Sequence, residues 1–376
     1  MKLITLIKQL SSLVITLAIV AFTSVQAGAT ELSKKVLMVV SSHGEAQGEV
    51  APGYEFEEFA KAYLIFQDNG IAVDVASPKG GKVESDEFNA EKPHNAKVLA
   101  DKAIMNKLEN TLKTADLVAS KYDGIFVVGG KGAMFDLPKD KALQQVIADI
   151  YQQQGSVAAV CHGPAALIDV KLNDGSYLVD GKVVNSFTNV EEQLFGKKWV
   201  KHFDFMLEDK LIERGANFQA SPIMLNHVAV DERLVTGQNP TSTVGVANAL
   251  VKSLGIKPVE QVVDSEDSTL AVVADFLAGD TSALDKFTTN AEQYQLPLAS
   301  MYGYYYVMVA QDNEQNAQAL SLMKVAQQSL KNKSLDMQIA KTQQKLGLVE
   351  DAKSTLNQLL ERNPDFKVAQ DMLKTL

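Results

Sequence analysis

Gly155-Ser156-Val157-Ala158-Ala159-Val160-Cys161-His162-Gly163-Pro164-Ala165-Ala166-Leu167 is the stretch on which the fold turns. An apolar run of strand type stops at the cysteine, and a small-residue run of helix type begins just after it. Cys161 is the one cysteine among 376 residues. A side chain at such a strand-to-helix turn is pushed out of the sheet, and its thiol faces the first amides of the next helix. Those amides favour an anion, so the expectation is a lowered thiol pKa and a reactive thiolate near neutral pH. The same geometry with serine is a nucleophile elbow. A lone cysteine is otherwise a small packing residue. His162, Gly163 and Pro164 directly after it favour the reactive reading.

Working outward, strand-like runs alternate with helical ones. Lys35 to Val40 and Ile71 to Ala76 read as strands, with a helical run from Glu55 to Asn69 between them. Gly124 to Val128 is a third strand-like run, stopped by Gly129-Gly130, and Lys139 to Gln154 is helical before Ser156 to Val160. Val183 to Phe187, Asn226 to Val230 and Leu234-Val235 read as further strands, and Thr241 to Leu254 as a closing helix. This alternation implies an α/β fold: a flavodoxin-like, doubly wound, mostly parallel sheet over about residues 34–255. Ligands of such sheets bind beyond the carboxyl ends of the strands. His43, Gly129-Gly130 and Cys161 each lie just past a strand end, so the order of the chain gathers them on one rim.

The first residues read as a leader rather than fold. Lys2 and Lys8 precede an apolar core from Leu10 to Val20, and Val25-Gln26-Ala27 offers small residues for cleavage. The expectation is a secretory signal peptide over residues 1–27 and an exported chain, periplasmic or extracellular. An uncleaved anchor is the competing reading, and no later segment is apolar for long enough to span a bilayer. The whole chain carries a net charge of −10, and loss of two leader lysines makes it more acidic. That balance argues against nucleic acid or an anionic membrane surface as a partner. A single cysteine excludes an internal disulfide, although exported chains usually recruit cysteines in pairs.

From Lys257 onward glycine becomes scarce and Ala, Leu, Gln and Lys take over. Residues 256–274 read as a linker and 275–376 as an all-α helical-repeat domain. Gly347, Val349, Ala352, Leu356, Leu360 and Pro364 fall at the spacings of the second half of a tetratricopeptide repeat. Fewer than three good repeats rarely form a groove alone, so an ordinary helical appendage remains an equal reading beside a surface for a protein partner.

Several segments together resemble the ThiJ/PfpI superfamily, also called the class I glutamine amidotransferase-like group. They are Ala159-Val160-Cys161-His162-Gly163-Pro164, Ala76-Ser77-Pro78-Lys79-Gly80-Gly81, Gly129-Gly130-Lys131-Gly132 with Phe135-Asp136, and Leu234-Val235-Thr236-Gly237-Gln238-Asn239-Pro240. The insertion Lys82 to Tyr122 and the segment Ser186-Phe187-Thr188-Asn189-Val190-Glu191-Glu192 are similar to its heat-shock chaperone and glyoxalase III branch. The resemblance implies a carboxylate from the first helix beside the cysteine, matching Glu58 in Gly53-Tyr54-Glu55-Phe56-Glu57-Glu58-Phe59. It also implies a carboxylate that orients His162, matching Glu192 with Glu191 as neighbouring candidate. The amides of Gly130 and His162 are the implied oxyanion donors, with Gly129 and His43 at the pocket mouth. On the residues alone, Glu55, Glu57 and Glu58 also read as a solvated helix start, and Glu191 and Glu192 as caps of a helix near Asn189. The branch usually carries a His-Pro pair where Lys61-Ala62 stands here, a departure expected to alter substrate fit.

The activity implied is conversion of methylglyoxal or glyoxal to a hydroxy acid without glutathione, through a Cys161 hemithioacetal and with no cofactor. His94, His202 and His227 are scattered, so no catalytic metal is expected. Two other classes stay open. One is a cysteine amidase or peptidase, whose sites in this superfamily form between subunits and which leaves a homodimer open. The other is a non-catalytic envelope chaperone or redox sensor.

Overall fold

Strand β1 (Lys35–Val39) is buried along nearly its whole length, and alternate residues feed opposite faces. Val36 and Met38 pack into one apolar cluster, Leu37 and Val39 into another. The same division holds for Ile125 and Val127 against Phe126 in β4 (Gly124–Val127), and for Val157 and Ala159 against Ala158 and Val160 in β5 (Ser156–Val160). A strand buried on both faces needs no polar alternation, which is why these runs read as continuous apolar stretches.

The computed structural model describes residues 34–196 and 198–376; the leader expected at 1–27 lies outside the described residues. Lys34 to Leu376 form one compact unit. The sheet has seven strands in the order β3-β2-β1-β4-β5-β9-β8, with β2 at Ala72–Ser77, β3 at Leu112–Lys113, β8 at Val228–Asp231 and β9 at Leu234–Gly237. All pairs are parallel except β8 with β9. Helices α1 (Phe56–Asp68) and α8 (Thr243–Ser253) cover one face, and α5 (Lys141–Gln152) covers the other. The insertion after β2 supplies α2 (Pro93–Ala100), α3 (Lys102–Glu109) and β3. The turn-length helix α4 (Ala133–Asp136) follows β4.

Three expectations are corrected. The strand expected over Val183 to Phe187 is only Val183–Val184 (β6), paired with Asn217–Phe218 (β7) in a separate small sheet. Between them lie α6 (Asn189–Phe195) and α7 (Leu207–Glu213). The helix expected after Cys161 is a five-residue 3-10 segment, Gly163–Leu167, that Pro164 starts. The stretch expected as a linker is helical in its second half, because α9 spans Ser265–Leu277 with Asp264 as its N-cap. The remaining longer helices are α10 (Leu296–Tyr306), α11 (Asn313–Lys324), α12 (Lys333–Lys345), α13 (Val349–Arg362) and α14 (Lys367–Thr375). Ile223 and Leu225 of the α/β unit enter the same apolar cluster as Leu270, Phe276 and Tyr302 of the helices. No helix among the described residues is long and apolar enough to cross a membrane.

Candidate active site

β5 ends at Val160, and the next residue turns the chain sharply. Cys161 has φ +59°, in the left-handed region that a side chain with a Cβ rarely occupies. The conformation is held from both sides: the Cys161 amide donates to the Gly237 carbonyl at 2.8 Å, and its own carbonyl accepts from the Phe187 amide at 2.9 Å. A strained residue pinned in this way is a common signature of a functional turn.

The sulfur lies 3.3 Å from His162 Nδ1, and His162 Nε2 lies 2.5 Å from Glu192 Oε1. All three groups are buried, His162 and Glu192 almost completely. Glu191 and Glu192 are told apart by their partners. Glu191 closes a capping box with Thr188 at the start of α6, and it also accepts from the Met224 amide and Asn239 Nδ2. Glu192, one residue on, reaches the imidazole instead. A side chain at Gly196 would place its Cβ 2.1 Å from Glu192 Oε2, so the glycine clears the space for the carboxylate.

Glu58 enters from α1 and is fully buried. Its Oε2 accepts from the Gly129 amide at 2.7 Å, and its Oε1 has no hydrogen-bond partner. A Cβ at Gly129 would sit 2.7 Å from Glu58 Oε2 and 2.8 Å from Cys161 Cβ, so the acid and the nucleophile meet where this residue has no side chain. Gly129 therefore gives its amide to Glu58 rather than to the pocket. Gly130 takes φ +90°, and a Cβ there would meet the Glu55 amide nitrogen at 2.4 Å. Its amide favours the anionic form of the Cys161 sulfur.

Burial pushes the Glu58 carboxyl well above the usual glutamate range, and the charge of Glu55 adds to the effect. The thiol departs from the sequence expectation. Burial raises the Cys161 pKa, as does a charge on Glu58, while the Gly130 amide and the charge of Lys131 act the other way. The short 3-10 segment offers too little aligned backbone to reverse this. Acid and thiol are thus coupled, and one proton between them satisfies both. A neutral Glu58 removes the like charge and leaves a donor for the thiolate.

His43 stacks on Phe135, with ring centroids 4.4 Å apart. Burial lowers its pKa, with Lys79 and Lys139 contributing. Phe135 meets Phe203 edge-on at 5.5 Å, and Phe203 lies 6.1 Å from the His162 ring. An aromatic wall thus runs from His43 to the nucleophile. Phe203, Lys131 and Glu55, whose carboxyl is pushed up to about 7 by burial and the Glu57 charge, were not singled out from the sequence. Lys131 was legible in principle, as the one cation inside the Gly129-Gly130-Lys131-Gly132 turn; Phe203 was not, being far along the chain. His94, His202 and His227 do not join this site. No group of acids, histidines and cysteine suited to a metal occurs among the described residues.

Residues 35–253 match the sequence profile of the DJ-1/PfpI family. The chain belongs to that family. A glutathione-independent glyoxalase of Schizosaccharomyces pombe, hsp3102, is 33% identical over 242 residues, covering 59% of this chain and 98% of the relative. Among solved structures, the Rapid Encystment Protein 24 KDa of Francisella tularensis aligns with a TM-score of 0.55 and 34% identity, over 59% of this chain and 99% of that one. Glyoxalase III of Candida albicans aligns with a TM-score of 0.54 and 26% identity, over 58% of this chain and 97% of that one. The family match ends at Ser253, so helices α9 to α14 lie beyond it.

Proposed function

We propose that this DJ-1/PfpI member is a glutathione-independent glyoxalase that converts methylglyoxal to lactate and glyoxal to glycolate. The observation that carries the reading is the convergence of Glu58 and Cys161 at Gly129, with His162 and Glu192 on the other side of the sulfur. The names of the relatives that align over nearly their whole length support it.

In the proposed reaction the Cys161 thiolate adds to the aldehyde carbon, and the resulting alkoxide takes the Glu58 proton to give a hemithioacetal. The Glu58 carboxylate, now charged and buried beside C1, is a strong enough base to remove the C1 proton. The electron pair passes to the neighbouring carbonyl as an enediolate, and Glu58 returns the proton to C2 while the C1 hydroxyl proton passes to the C2 oxygen. The product is a thioester in which C1 is oxidised and C2 reduced, so no external electron carrier is consumed. The Gly130 and His162 amides are the proposed donors to the developing oxyanion. Water, deprotonated by His162 with Glu192 holding its tautomer, releases the hydroxy acid and the thiolate. The aromatic wall from His43 to Phe203 suits a small, weakly polar substrate.

The test is turnover of methylglyoxal without glutathione, with lactate identified as product. Cys161→Ser abolishes turnover; Glu58→Gln retains a thiol that alkylates but forms no lactate. Lactate formation at the full rate by Cys161→Ser overturns the scheme.

The leader composition supports export with cleavage after Ala27; the mass of the protein from the cell envelope reads this directly. Helices α12 and α13, joined through Gly347 at φ +78°, bury Ala340, Ala352 and Leu356 between them. This hairpin supports the tetratricopeptide-like reading of the tail.

A further inference from the structure

The two carboxylates of the site sit on α1 and α6, and both helices carry contacts from beyond the family match. Lys61 lies one turn past Glu58 on α1 and is 8% exposed despite its charge. Its Nζ is 3.2 Å from Glu57 Oε1, 3.5 Å from Asp264 Oδ2 and 3.8 Å from Asp267 Oδ1. Lys92 completes the bracket, 2.8 Å from Glu57 Oε2 and 2.7 Å from Glu266 Oε2. Asp264 caps α9, accepting from the Asp267 amide at 2.8 Å, so these acids have a defined place. On the other side, the ring of Phe195 at the end of α6 meets Tyr305 of α10 edge-on at 5.0 Å.

A buried carboxyl with an oxygen that has no hydrogen-bond partner is costly, and a helix that carries one gains by moving it toward water. α1 is in that position at Glu58. An ion cluster one turn further along, in which Lys61 is withdrawn from solvent while its acidic partners are partly exposed, opposes such a movement. Lys61 also stands where the resemblance led us to expect a histidine beside the pocket. Its charge is committed to Asp264 and Asp267 of the added helices instead.

We propose that the C-terminal helices are a positioning device for the catalytic rim: the first turn of α9 clamps α1 through Lys61 and Lys92, and so holds Glu58 against the Cys161 sulfur. Lys61, Asp264 and Asp267 act through Glu58 and touch no substrate. Tyr305 steadies α6, and with it Glu192, in the same sense. The clamp rests on the pairing of Glu58 with Cys161, and its test does not require the dicarbonyl reading to hold.

The experiment uses the full chain with Asp264→Asn and Asp267→Asn combined, and separately Lys61→Met and Lys61→Arg. The first readout is the rate at which iodoacetamide alkylates Cys161 across pH. The charged groups facing the pair are Glu55 and Glu57 from α1, Lys131 beyond β4, and His162, and none is altered in these variants. Loss of the clamp lets Glu58 withdraw and uncouples it from the thiol, so the alkylation midpoint shifts by about half to one pH unit: down where a charged Glu58 had opposed the thiolate, up where a neutral Glu58 had donated to it. The second readout is methylglyoxal turnover, where kcat falls about tenfold with KM within about twofold. Lys61→Arg, which keeps the charge, restores both. An unchanged midpoint and kcat with a lower Tm overturns the proposal, since the added helices then only stabilise the fold. A wild-type chain inert toward dicarbonyls sinks the proposed activity instead, and the alkylation midpoint alone then decides: a shift supports the clamp, no shift overturns it.

Discussion

Two buried carboxylates, one in the α/β unit and one in the helical extension, are treated very differently. Asp336, in the helical extension, accepts from Gln327 Nε2 at 2.9 Å and pairs with Arg362 at 2.8 Å, one oxygen to each. Glu58, at the sheet rim, has one amide on Oε2 and no hydrogen-bond partner on Oε1. Both are almost wholly out of water. Burial of a carboxylate is tolerated when each oxygen is answered, and a gap in that pairing marks a group kept for chemistry. Asp336 spends both oxygens on holding helices together, though the Tyr302 hydroxyl of the same extension has no partner; the rim leaves Glu58 Oε1 and Glu192 Oε2 uncommitted.

The sharpest way to break this contrast is Glu58→Gln. It lowers the isomerisation rate by about 10²- to 10⁴-fold, the range of a general acid–base group, while Tm stays level or rises. A stability loss without a rate loss would make Glu58 another Asp336. Gly196→Ala comes next. Its Cβ displaces the Glu192 carboxylate, so kcat falls about tenfold or more from a disordered imidazole, and the loss appears in thioester hydrolysis rather than in Cys161 alkylation. Asp336→Ala is the mirror experiment. It removes the partner of the partly exposed Arg362 and of Gln327, and lowers stability by about 1–2 kcal/mol in denaturant titration, with kcat near wild type.

The smallest effect is on pH. Desolvation and the charge of Glu57 push the Glu55 carboxyl up to about 7, above its ordinary value. A carboxyl with a raised folded pKa stabilises fully below the unfolded pKa, and that contribution is lost as pH rises through the folded one. Wild-type Tm therefore declines between about pH 4.5 and 7 from this source, and Glu55→Gln flattens the decline. An unchanged slope in Glu55→Gln would place Glu55 in water.

The central strands were legible because a parallel sheet buries both faces, so β1, β4 and β5 read as unbroken apolar runs. The edge was not. Leu112–Lys113 is exposed and only two residues long, which leaves no periodicity to read. Cys161 and His162 declared themselves as neighbours at a turn. Glu58 and Glu192 came from resemblance, since acids at a helix start are ordinary, and Glu191 beside Glu192 shows both possible uses in adjacent residues. Lys61 was read as a change near the pocket, and its partners proved to be Asp264 and Asp267, some two hundred residues along the chain.

What the amino-acid order determined by itself was local: apolar strands, a turn forced at Cys161, glycines at Gly129 and Gly130 that admit close approach, and an added run of helices after the α/β unit. Only the tertiary structure decided which groups set the charge of the site. A thiol expected to ionise easily is instead raised by burial and tied to Glu58. Ionisation depends on lost water and on charges brought close from distant segments, and neither quantity exists until the chain has packed.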